Sequence, residues 1–224
     1  MPNITLYFLQ TSRAIRTAWL LEELNLDYNV VFSDRENGLA PPWFKEAIQK
    51  AGNPLGKSPT LVDNGVVVSE SGTITEYLCE KYDTANRLIP KDAASRVSVL
   101  QWVHATEATF TLHALAITYL RWFAPQSIRD NGELEATEEK MGKNVQHDLD
   151  MLEDALEKNK GGFLIGDTVT AADCMMSFSI VYILRNGLGT GGRSWLRIDE
   201  WIKKCEATET WKKAVNRTGH AWVV

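Results

Sequence analysis

Cysteine is scarce in this chain. Cys79, Cys174 and Cys205 are the only three in 224 residues, and no two form a CxxC pair. An odd, widely spaced set argues against both a disulfide framework and a zinc ribbon, and it fits a reducing compartment. His104, His147 and His220 have no metal-ligand spacing with one another or with the cysteines, so no metal is expected. A basic excess is also missing. The net charge of -5 leaves no electrostatic footprint for a phosphate backbone, so nucleic acid is not an expected partner. No apolar run is long enough to span a bilayer: ADCMMSFSIVYIL is short and polar-flanked, and reads as a buried helix. The opening MPNITLYF lacks the basic and long apolar regions of a secretory signal. Internal repeats and low-complexity tracts are absent. These gaps lead to the expectation of a soluble, cytoplasmic globular protein.

What remains is ordered by period. Ile4 to Leu9 is strand-like, Thr11 and Ser12 are candidate N-caps for a helix through RAIRTAWLLEELNL, and Tyr28 to Phe32 reads as a second strand. Strand, helix, strand in this length implies parallel pairing through a right-handed crossover. Pro41-Pro42 opens a short helix, WFKEAIQK. In TLV-DNG-VVV, Asn64-Gly65 is a hairpin signal, because both residues accept the positive φ of a type I′ turn. Ile74, Tyr77, Leu78 and Tyr82 then share one helical face. The order β-α-β-α-β-β-α describes an α/β domain over residues 1–82. A linker-like composition follows over 83–92. The domain from 93 to 224 reads as all-helical, with segments at 93–124, 133–158, 171–186 and 197–217. Within it Thr170-Ala-Ala-Asp173 is a capping box, with Val169 and Cys174 placed as a hydrophobic staple.

The stretch GKSPTLVDNGVVVSESGTITEYL carries the chemistry. Pro59 opens a strand, a position sheets tolerate, and can also hold the Ser58 backbone outward for an extended, peptide-like ligand. Glu70 and Ser71 open a helix. They read either as polar capping residues or as a site, since a helix N-terminus and a hydroxyl accept a carboxylate while Glu70 holds an ammonium. A carboxylate and an ammonium on one carbon, attached to an extended backbone, describe a small peptide such as glutathione.

The α/β layer, the loop-Pro-strand, the Glu-Ser helix start and the Thr-Ala-Ala-Asp box in a helical second half together resemble the cytosolic glutathione transferases. SRAIRTAWLLEELNLDY, GLAPPWFK, NPLGKSPTLV and ESGTITEYL are similar to the fungal and bacterial subgroup of the yeast endoplasmic-reticulum-associated enzyme. The resemblance implies a thioredoxin-like first domain followed by an all-α second domain, with glutathione as co-substrate. It implies Ser58 before a cis Pro59 as the backbone partner of the cysteinyl group, with Glu70 and Ser71 on the γ-glutamyl end. It places Lys57 near the glycine carboxylate, Arg13 near the sulfur, and Glu107 toward a partner subunit's ligand. For the catalyst it offers two hydroxyls, Ser12 at the first helix start and Tyr7 in the first strand. Ser12 is favoured narrowly, and Gln10 and Thr11 lie in the same loop. Phe8, Leu9, His113, Tyr119, Trp122 and Phe123 are the expected wall for a hydrophobic electrophile between the domains, although aromatic residues at helical spacing equally build core. A homodimer is implied, with peripheral association at the endoplasmic reticulum compatible. Three functions follow: conjugation of glutathione to electrophiles, a glutathione-dependent peroxidase or reductase on the same site, or a non-catalytic binding or regulatory module.

Overall fold

The structure, a computed structural model, describes residues 3–222; the outer limits expected for the two domains, residues 1 and 224, lie outside them. Strand β1 (Ile4–Leu9) leads into α1 (Ala14–Glu23), β2 (Asn29–Ser33), α2 (Pro42–Ala51), β3 (Thr60–Asp63), β4 (Val66–Ser69) and α3 (Ser71–Tyr82). The sheet order is β2-β1-β3-β4. β1 runs parallel to β2, with Tyr7 opposite Val31, and antiparallel to β3, with Tyr7 opposite Thr60. This is the β-α-β-α-β-β-α order expected from the period. Asn64 and Gly65 turn the β3–β4 hairpin with φ of 48° and 87°, the two positive values that a right-twisted two-residue turn requires.

Alternation along β1 divides its side chains between two layers. Ile4, Leu6 and Phe8 are completely buried or nearly so. Tyr7 and Leu9 point the other way, toward Phe44 and Ile48 of α2. The stretch expected as a linker is packed rather than loose. The Asp83 carboxylate accepts the N–H groups of Arg87 and Leu88, and Leu88 and Ile89 are buried.

The second half is helical: α4 (Ala93–Ala105), a π-helical turn (Thr106–Thr111), α5 (Leu112–Phe123), α6 (Gln126–Asp130), α7 (Glu133–Lys158), α8 (Ala171–Arg185), α9 (Leu196–Ala207) and α10 (Glu209–Thr218). The π turn interrupts the expected 93–124 helix, and the expected 197–217 helix breaks at Thr208. There the Thr208 hydroxyl accepts the Trp211 N–H and caps a new helix.

Two compact units result. One runs up to Arg96 and resumes at Glu206; the other is Val97–Cys205. By its contacts the last helix groups with the first unit, through the face that α10 presents. Trp211 meets the fully buried Trp19 of α1 edge-on at 5.2 Å, and Trp19 Nε1 donates to Thr210 at 3.1 Å. Arg217 stacks 4.4 Å above the Tyr28 ring and pairs with Asp27.

Each unit has a buried carboxylate as a fastener. In the helical unit Asp173, fully buried, accepts from the N–H of Leu164, from the N–H and hydroxyl of Thr170, and from Trp201 Nε1, all at 2.9 Å. The capping box thus also reaches across to α9. In the first unit Asp63, at the end of β3, has no exposed surface, and its Oδ2 receives Tyr77, Lys81 and Tyr82 of α3 at 2.7–2.8 Å. Burial by itself raises the Asp63 carboxyl, but the Lys81 ammonium and the two hydroxyls outweigh it and hold the group below its ordinary value. A carboxyl depressed in the fold stabilises at neutral pH and stops doing so as pH falls through its folded value. Asp63→Asn is expected to lower the thermal midpoint at pH 7 by a few degrees. Thermal unfolding followed across pH should show this difference closing once the pH drops below the ordinary carboxylate range.

Candidate functional site

β3 stops pairing with β1 before β1 itself stops. Beyond Thr60, the Ser58 hydroxyl stands in for the missing strand, donating to Tyr7 O at 2.9 Å and accepting the Leu9 N–H at 3.1 Å. The Ser58–Pro59 peptide is cis, and Pro59 is buried. Neither the N–H nor the C=O of Ser58 enters a hydrogen bond among the described residues. The loop is braced from below by Asn53, a residue no local pattern marks. Its amide donates to Thr60 Oγ1 at 2.7 Å, and the Thr60 hydroxyl in turn donates to Lys57 O at 2.7 Å. Lys57 is exposed at the rim of this loop.

At the start of α3, Glu70 occupies the N-cap with φ of 68° and no side-chain capping bond. A positive φ on a non-glycine residue is uncommon and costs on the order of 1–3 kcal/mol, a cost that concentrates at functional positions. The carboxylate is exposed rather than folded back on the helix. Ser71 beside it is buried, and its Oγ accepts from Arg16 Nη1 at 3.0 Å. Arg16, in α1, is only 1 % exposed. Sequence reasoning missed it, because an arginine within an amphipathic helix carries no mark of burial. Its donation fixes the serine oxygen as acceptor on the inner side, which leaves the serine proton to point away from Arg16. The guanidinium also adds positive charge to the positive end of α3.

The β1–α1 turn holds the two competing hydroxyls. Tyr7, half-buried, packs against the α2-side cluster, its ring centroid 6.5 Å from that of Phe44. Ser12 is buried, and its Oγ accepts the Ala14 N–H at 3.2 Å, an acceptor role that leaves its proton able to donate elsewhere. Arg13 is the N-cap residue of α1. Arg35, another residue unmarked by pattern, donates to the carbonyls of Gln10, Thr11 and Gly38 at 2.9–3.0 Å. Ser12, Arg13, Ser58, Pro59, Glu70 and Ser71 all belong to the first unit.

Of the residues expected to line an electrophile site, Phe8 is fully buried and Leu9 nearly so, and both pack in the core. Phe8 stacks on Phe32 at 6.2 Å, and Leu9 joins the α2 cluster. In the helical unit Tyr119, Trp122 and Phe123 form an exposed aromatic cluster at the end of α5, with centroids 5.9–6.3 Å apart. His113 on the same helix is held by Asp148 of α7, Nδ1 to Oδ2 at 2.6 Å. Glu107 lies in the π-helical turn. No group of three or more His, Cys, Asp or Glu side chains among the described residues is placed to hold a metal ion. No helix among them is long and apolar enough to cross a membrane.

The four-stranded mixed sheet with its helices is a thioredoxin-like domain, and the second unit is all-α. The family description "Glutathione S-transferase, N-terminal domain" matches residues 2–80, and its C-terminal counterpart matches residues 122–216. The chain is 30% identical over 211 residues to glutathione S-transferase 3 of Schizosaccharomyces pombe, covering 89% of this chain and 81% of the relative. It is 25% identical over 230 residues to glutathione S-transferase 1 of Saccharomyces cerevisiae, covering 94% and 93%. A solved glutathione S-transferase from Actinobacillus pleuropneumoniae superposes with a TM-score of 0.79 at 26% identity, covering 97% and 94% of the two chains. The chain belongs to the glutathione S-transferase family.

The Arg16–Ser71 pair generates a measurable expectation. A hydrogen bond to a charged donor contributes on the order of 1.5 kcal/mol to stability. Arg16→Met removes that donor from the buried Ser71 oxygen and is expected to lower the unfolding free energy by about that amount in denaturant titration. An unchanged midpoint would show that the pair contributes nothing to the fold.

Proposed function

We propose that this protein binds glutathione and activates its thiol for attack on electrophilic, mostly apolar small molecules. The observation that carries this reading is the Ser12 hydroxyl. Its oxygen is occupied by the Ala14 N–H at the start of α1, so the proton it has left is the one a thiolate requires. A free thiol has a pKa near ~8.5 and is mostly protonated at neutral pH. A donated hydroxyl proton and the positive end of α1 both favour the charged form, at about 1.4 kcal/mol for each unit of pKa lowered.

The rest of the peptide is held by the elements around it. The Ser58 backbone pairs with the cysteinyl group, Glu70 takes the γ-glutamyl ammonium, and Ser71 with the α3 N-terminus takes its carboxylate. Lys57 approaches the glycine carboxylate, Arg13 adds positive potential near the sulfur, and Glu107 serves the ligand of a partner subunit. Tyr7 is the alternative thiol donor; its packing beside Phe44 supports a structural part for it. Tyr119, Trp122, Phe123 and His113 are proposed for the electrophile, the first three on the strength of their exposed apolar area. Catalysis then needs little covalent work by the protein: an activated nucleophile is held close to its target. A cytoplasmic location suits this chemistry, since glutathione works where thiols stay reduced.

Retention on immobilised glutathione followed by turnover of an aryl halide and of a peroxide tests the reading. Ser12→Ala is expected to lose about 100-fold in kcat, within the range set by removing one preorganised donor, while Tyr7→Phe keeps most of its activity. The opposite pattern would move the role to Tyr7. Retention with no turnover of either compound class would favour a binding or regulatory module, and turnover of the peroxide alone a peroxidase.

The protein is further proposed to be a homodimer that pairs the first unit of one copy with the helical unit of the other. Exposed apolar residues support this on both units: Leu55 and Val66 on the first, Val97 and Leu112 on the second. Sedimentation is expected to give twice the 25.2 kDa chain mass; a monomer at micromolar concentration would count against it.

A further inference from the structure

The Gln10-Thr11 turn that carries Ser12 is held in a conformation it would not adopt alone. Thr11 has φ of 49°, a left-handed backbone on a β-branched residue, which is a true outlier unless its surroundings over-determine it. They do so from two sides. Arg35 fixes the carbonyls of Gln10 and Thr11, as described above. The other side is the segment that follows α10. Gly219 ends that helix with φ of 63° and sends the chain back across the turn. The Gln10 side chain, 6% exposed, donates through Nε2 to Gly219 O at 2.9 Å, and its Oε1 accepts both the Ala221 N–H and the Thr11 N–H at 3.1 Å. The Thr11 hydroxyl donates to Ala221 O at 3.1 Å. One amide therefore pairs with the returning segment on both of its polar atoms, much as a neighbouring strand would.

The segment is seated by its own ring. His220, 7% exposed, meets Phe8, Trp211 and Trp222 edge-on at centroid distances of 6.2, 6.3 and 5.4 Å. Residues more than 200 positions from Ser12 in the chain thus brace the turn in which it sits.

We propose that Gln10 is a positioning residue for Ser12, and that the segment Gly219–Ala221 is its support, so that the end of the fold sets the geometry of the thiol-activating hydroxyl. The proposal rests on the reading of Ser12 given above. Loosening the brace lets the Ser12 hydroxyl move off the sulfur while the γ-glutamyl clamp at Glu70 and Ser71, on a different element, keeps its grip. The brace therefore acts on the protonation of the thiol and hardly at all on the binding of the peptide.

The test compares the full chain, Gln10→Ala, a chain ending at Gly219, a chain ending at Trp222, and Ser12→Ala. The pH dependence of the ultraviolet absorbance of the bound thiolate is read alongside kcat and the KM for glutathione with an aryl halide. Gln10→Ala and the chain ending at Gly219 are each expected to raise the apparent pKa of the bound thiol by about one unit. Their kcat then falls about tenfold at neutral pH and recovers as pH rises, with KM for glutathione within about twofold. The chain ending at Trp222 keeps every contact named here and should match the full chain. A rise in the pKa for Ser12→Ala with none for Gln10→Ala or the Gly219 truncation would overturn the inference and leave the reading of Ser12 standing. No rise for Ser12→Ala would overturn that reading, and the inference with it. A raised KM with an unmoved pH profile would show a merely structural brace and also overturn the inference. Should Gln10→Ala fail to fold, the Gly219 truncation carries the same reading independently.

Discussion

A guanidinium cannot be sealed inside a small domain unless acceptors are waiting for it, and Arg16 is sealed almost completely. That requirement governs the first unit. α1 must lie where Arg16 reaches α3, and α3 must begin where a side-chain oxygen meets it, at Ser71. At that helix start Glu70 takes a left-handed backbone and leaves its side chain exposed. The positive end of the helix and a buried cation converge on one hydroxyl, so an anion is welcome there before any ligand arrives.

Much of this organisation could be read from the chain by eye, and the parts that could share a short range. Asn64-Gly65 fixes its hairpin within two residues, and Thr170 to Asp173 its capping box within four, because each is a contest between neighbouring backbone groups. Ser12, Ser58, Glu70 and Ser71 were legible because each stands at an element boundary, where side chains and backbone ends meet solvent. The peptide-like ligand proposed for Ser58, Glu70 and Ser71 came from the chemistry of those boundaries, while the part proposed for Ser12 came from likeness to a family.

The bracing residues were not legible, and the reason is distance along the chain. Arg16 finds Ser71 across 55 positions, Gln10 finds Gly219 across 209, and Asp63 waits for Lys81 and Tyr82 one helix later. Nothing local distinguishes a lysine that will cap a buried carboxylate from one bathed in water. The same limit misassigned Phe8 and Leu9: adjacent on a strand, they face opposite layers, and only the packed sheet shows that both layers are closed. It also hid the fate of the last helix. Its amphipathic pattern announces a buried face without saying which surface it will cover, and Trp211 settled on Trp19.

Glu70 carries a consequence for anyone wishing to make the protein sturdier. Its backbone sits where glycine is at ease and a carboxylate-bearing residue is not. A search for heat resistance guided by backbone geometry alone would therefore choose glycine at this position, and would gain a calmer helix start by discarding the exposed carboxylate proposed to hold an ammonium. On the proposed reading the position trades endurance for recognition.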